Sequence, residues 1–121
     1  GFLLATAAAD RCVVVTTADA SSLRDAQHTV MELGRFGPGK LHLVVNRVQP
    51  RLLRRLHTTI DDAMDAAGLP LLGIVPEDPQ VMLCANQGQP LILRASRGAA
   101  VAYLNIAKRL LGQKAPLMKI R

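Results

Sequence analysis

The chain has 121 residues, a net charge of +6, half of its residues apolar and only 2% aromatic. That length suits one compact domain and excludes two, and the hydrophobicity excludes a disordered chain. No apolar run is long enough to span a bilayer, and scarce aromatics exclude a stacking platform for single-stranded nucleic acid.

The core must therefore be aliphatic, as in parallel sheets covered by helices. The opening GFLLATAAAD has an apolar stretch with no positive region before it, and it ends in Asp10-Arg11. It reads as the tail of a helix rather than a signal peptide. Arg11 to Thr17 is a short β-branched run, expected as a strand buried on both faces. Ala18 to Ala20 form a turn, after which Ser21 or Ser22 offers a helix N-cap and Asp25 falls in the first turn. Leu23, Ala26, Val30 and Leu33 recur at helical spacing, and the glycines of GRFGPGK close the helix.

The pattern then repeats. LHLVVNRV (41–48) is a second buried strand, and one long amphipathic helix is expected after Pro50, with Leu53, Leu56, Ile60, Ala63, Met64 and Ala67 inward and Gly68 closing it. LPLLGIV (69–75) is a third strand, followed by the turn Pro76-Glu77-Asp78-Pro79 and a short helix over about 80–86. A brief apolar piece, PLIL, precedes a last helix over about 96–111, whose expected inner stripe is Ala100, Leu104, Ala107 and Leu111. Strands alternating with helices predict βαβ units: part of a doubly wound parallel sheet, three main strands flanked by helices. Three strands are few for such a sheet. With the helix tail at the start, this implies that sequence is missing before Gly1.

Gly34 to Lys40 matches G-x-x-x-x-G-K, but a phosphate loop follows a strand and opens a helix. Here the segment follows a helix and opens a strand, Pro38 removes an N–H donor, and Leu41 stands where Ser or Thr would meet magnesium. It reads as a helix-to-strand turn. Cys12 and Cys84 share no metal-binding spacing with His28, His42 or His57, so two buried, reduced thiols and a cytosolic location are expected.

Three stretches, TTADASSLRDA (16–26), VVNR (44–47) and GIVPEDPQV…NQGQPLI (73–92), occur in order and are followed by AYLNIAKRLLG (102–112). Together they resemble the C-terminal half of the MinD/ParA family of P-loop ATPases, its cell-division branch more than its partition branch. The resemblance spans residues 1 to about 112 and leaves 113–121 as a short basic tail.

The resemblance implies a P-loop NTPase-like fold lacking its N-terminal half, in a parent that binds ATP and Mg. Asn46 would recognise the base through an amide that both donates and accepts, Arg47 would flank it, and Pro76, Glu77 and Asp78 would close its other side. From the residues alone, Asn46 is either a ligand contact at a strand's carboxyl end or a turn-forming Asn. The helix carrying Ser21, Ser22, Arg24 and Asp25 would bind the dimer mate or regulators of the MinC and MinE type. Capping and solvation also explain those four residues.

The sequence departs from the family where Ala18-Asp19 replaces Pro-Glu. The phosphate loop, catalytic Asp and switch segment would all lie upstream, so the resemblance assigns no catalytic or metal residue here. This chain alone is expected neither to hydrolyse ATP nor to hold it tightly. The parent's membrane-binding C-terminal helix has no clear counterpart, because Pro116 breaks the tail. A cytoplasmic protein, peripheral to the inner membrane in the parent, is implied, with self-association through a bare strand edge. Two other readings stand beside it: a free-standing protein-interaction module, and a partition-type piece binding DNA through Arg51, Arg54, Arg55, Arg94 and Arg97.

Overall fold

The computed structural model describes residues 2–118. Its elements are α1 (Phe2–Ala7), β1 (Cys12–Thr16), α2 (Ala20–Glu32), β2 (Leu41–Val48), α3 (Pro50–Arg55), α4 (Ile60–Ala67), β3 (Leu71–Pro76), α5 (Pro79–Asn86), a 3₁₀ turn (Leu91–Leu93) and α6 (Ala99–Leu110). The strands form one parallel sheet in the order β1-β2-β3, with Val14 beside Leu43 and Val45 beside Ile74.

Two apolar layers sandwich the sheet. Val14, Leu43, Val45 and Ile74 pack with Ala26 and Leu33 from the α2 side and Ala63 and Ala67 of α4. Val44, Leu72 and Val75 pack on the opposite side with Ala99 and Ala102 of α6. The β-branched and Leu runs of β2 and β3 thus bury both faces, as a covered parallel sheet requires.

β1 does not. Val14 and Thr16 are buried, but Val13 is 38% and Val15 59% exposed, so the expectation of burial on both faces fails for this strand. β1 lies at the sheet's edge, and no element of the described chain covers its second face.

The single helix expected after Pro50 is two. α3 ends where His57 adopts a left-handed φ of 54°, and the N–H groups of His57 and Thr58 return to the Arg54 and Leu53 carbonyls. Those paired bonds close α3 with a Schellman geometry. α4 then starts afresh with a capping box, in which the Thr59 hydroxyl accepts the Asp62 N–H and the Asp62 carboxylate accepts the Thr59 N–H. The break leaves Leu56 46% exposed rather than inward.

The N-cap of α2 is Asp19, whose carboxylate accepts the Ser22 N–H at 3.0 Å, rather than Ser21 or Ser22. With the helix starting at Ala20, Asp25 sits past its first turn. Of the inner stripe expected for α6, Ala100 is buried, but Leu104 and Leu111 are 46% and 75% exposed and Ala107 is exposed; Ala99 and Ala102 are buried instead. Ile106 of α6 packs directly over Gly73 of β3, where a Cβ would lie 2.2 Å from Ile106 Cγ1. The Gly34–Lys40 segment is a turn between α2 and β2, as its order implied. The tail is described to Met118, without helix or strand; the last three of its residues lie outside the described part.

Candidate functional site

The carboxyl ends of β2 and β3 open into a cleft of about 670 Å³. Asn46, Arg47, Pro76, Glu77 and Asp78, the five residues expected around a base, all line it. Val75, Pro79, Val81, Met82, Leu83 and Tyr103 supply its apolar walls. Sequence reasoning missed these: the apolar residues of α5 look like core, and nothing in α6 marks Tyr103 as site-facing. The volume falls within the roughly 300–1,000 Å³ of small-ligand sites, and the mixture of apolar wall and few polar groups is their usual chemistry.

Local backbone explains how the polar groups come together. Between Val45 and Val48, β2 spends one more residue than β3 does between Ile74 and Pro76, which is a β-bulge. Arg47 takes the strained position, with φ 53°. Asn46 stays within the strand, so the turn-forming alternative for it does not hold. The bulge brings Arg47 across to Glu77, where Nε donates to Oε2 at 2.8 Å. The Glu77 N–H also donates to the Val48 carbonyl at 2.9 Å, so the two lips of the cleft are tied by backbone and side chain.

Asp78 is engaged differently. One carboxylate oxygen accepts the Gln80 N–H and caps α5; the other accepts the Ala99 N–H and caps α6, both at 3.0 Å. Asp78 lines the cleft, but both its oxygens hold helix ends.

The four residues expected to meet a partner sit on the first two turns of α2. Ser21, Arg24 and Asp25 are exposed and Ser22 is half-buried. Ser22 and Asp25 line a second cleft of about 610 Å³ along the free edge of β1, between α1 and α2, and Asn46 borders this one too. Beside it the Asp19 carboxyl is held at about 2, well below the usual carboxylate range, first by the Thr17 hydroxyl and then by the Ser22 N–H. The arginines Arg51, Arg54, Arg55, Arg94 and Arg97 are exposed.

Among its apolar walls the cleft carries two amides, Asn46 and Asn86, each able to pair donor and acceptor. No group of three or more His, Cys, Asp or Glu among the described residues could hold a metal ion. The Gly34–Lys40 turn enters β2 at Leu41, the opposite end of that strand from Asn46.

The chain matches no protein-family profile. It is 34% identical over 120 residues to the septum site-determining protein MinD of Synechocystis, covering 98% of this chain and 45% of that protein. To the Bacillus subtilis MinD it is 36% identical, covering 97% of this chain and 44% of that one. Among solved structures, MinD in the MinC:MinD cell division complex of Aquifex aeolicus superposes with a TM-score of 0.89 at 29% identity, over 99% of this chain and 50% of that one. MinD from Pyrococcus horikoshii, complexed with Mg-ADP, gives a TM-score of 0.70 at 25% identity, over 84% of this chain and 41% of that one. The chain spans a little under half the length of the curated relatives it matches. Its three-stranded sheet and flanking helices are thus part of a P-loop NTPase-like fold, and the chain belongs to the MinD/ParA family.

Proposed function

We propose that this chain is the C-terminal, base-binding side of a MinD-like ATPase that acts in choosing the cell-division site. One observation carries the reading: the cleft that gathers Asn46, Arg47, Pro76, Glu77 and Asp78 at the carboxyl ends of parallel strands, where open α/β sheets place ligands. Asn46 pairs with the base edge, and the Arg47 and Glu77 lips enclose it. The phosphates and magnesium are held by residues outside this chain, so the chain alone holds nucleotide weakly and does not hydrolyse it. A relative in this family is known complexed with Mg-ADP, which supports nucleotide as the ligand.

The exposed start of α2, with Ser21, Ser22, Arg24 and Asp25, is the face offered to a protein partner. A neighbour seen in a MinC:MinD complex supports a division regulator of that kind. The test of the site is a titration of ADP and of pyrophosphate into the full-length protein, wild type and Asn46→Ala. The substitution weakens ADP roughly tenfold, because the base loses its amide partner, and leaves pyrophosphate unchanged. Equal ADP affinity in the two proteins overturns the reading.

A further inference from the structure

We infer that Asp78 is a positioning residue, acting on the base cleft through Gly98 and the start of α6 rather than by touching the base. This rests on the reading of the cleft given above. Three observations converge on it. Each oxygen of the Asp78 carboxylate accepts a helix-terminal N–H, from Gln80 two residues on and from Ala99 twenty-one residues on. Gly98 holds a left-handed φ of 60°, and a Cβ there would fall 2.6 Å from Asp78 Oδ2. α6 in turn supplies Tyr103 to the cleft wall.

Loop, helix and wall are therefore one assembly. The carboxylate satisfies N–H groups that each helix leaves unpaired at its start. It fixes the Pro76–Asp78 lip against α5 on one side and α6 on the other. Loss of the Ala99 bond frees the lip and the Tyr103 ring together, so base affinity falls although no base contact has been removed. Gly98 is outside the cleft lining, which makes it the discriminating position. A side chain there strains the backbone and displaces the carboxylate, without replacing any lining residue.

The experiment compares Asp78→Ala, Asp78→Asn, Gly98→Ala and the double variant Asp78→Ala/Gly98→Ala in the full-length protein. It measures ADP and pyrophosphate affinity, and amide hydrogen exchange at Gln80 and Ala99. Asp78→Ala and Gly98→Ala each weaken ADP roughly fivefold and leave pyrophosphate alone, and the double variant is no weaker than Asp78→Ala, since both act on one contact. Exchange at Ala99 accelerates in both single variants. Asp78→Asn, which can accept at one oxygen only, protects one of the two amides and loses less affinity. If Gly98→Ala keeps full ADP affinity while Asp78→Ala loses it, Asp78 touches the base directly and the inference is overturned. Additive losses overturn it as well. Asn46→Ala in the same titration separates the two claims: if it leaves ADP binding intact, the cleft reading fails. Unchanged exchange at Ala99 in Gly98→Ala means that the Asp78 bond was never the link.

Discussion

Gly73 and Ile106 hold the sheet and its covering helix in contact: a methyl group on Gly73 would lie 2.2 Å from Ile106 Cγ1. Gly73→Ala is therefore an overpacking substitution, expected to cost about 1–3 kcal/mol in urea unfolding. Ile106→Ala opens a cavity by itself, yet added to Gly73→Ala it should cost less than the sum, because it removes the obstructing branch. Strict additivity would mean that the two residues do not meet.

The link between α3 and α4 makes a second prediction. His57 occupies a left-handed conformation that glycine adopts without penalty. His57→Gly should therefore stabilise the protein or leave it unchanged, whereas Thr59→Ala removes the α4 cap and should cost about 1 kcal/mol. Thermal unfolding would show Tm lowered in Thr59→Ala and raised or unchanged in His57→Gly.

Asp19 gives a pH dependence of known sign. Its carboxyl is held at about 2 in the folded protein against an ordinary value of 3.8. A lowered folded-state value stabilises above the ordinary value, and this contribution disappears as pH falls through the folded one. Asp19→Asn should thus be less stable than wild type at pH 5, with the gap closing between about pH 4 and pH 2. A gap constant over that range would show that the Thr17 and Ser22 hydrogen bonds do not act on the charge.

The open face of β1 predicts association of the 121-residue chain by itself. Val13 and Val15 are exposed on an edge strand, and such edges pair with other chains. Val15→Lys should shift the isolated chain toward monomer in sedimentation velocity. No change in its sedimentation would mean that the edge is not the contact.

The strands were legible in the sequence because β-branched runs bounded by Gly and Pro have few other readings, and the false phosphate loop could be dismissed by element order alone. Other features depended on forces that periodicity does not express. Leu104 and Leu111 carry more apolar surface than Ala99 and Ala102, yet the alanines face the sheet together with Ile106, which sits over Gly73. The break at His57 is hidden because apolar spacing runs on through it; the Thr59-x-x-Asp62 capping box was its one visible sign. Asp19 outcompeted two serines for the α2 cap. In the site, the resemblance named the five polar and loop residues, while the apolar wall from α5 and Tyr103 needed the folded chain to be seen. The double cap at Asp78 joins residues far apart in sequence, and no local pattern announces it.

The most direct test of the base cleft is amide hydrogen exchange across the full-length protein with and without ADP. The account predicts slowed exchange at Asn46–Arg47, at Glu77–Asp78 and at the start of α5, with the outer turns of α4 unaffected. Protection confined to other segments, with none at Asn46–Arg47 or Glu77–Asp78, would contradict it.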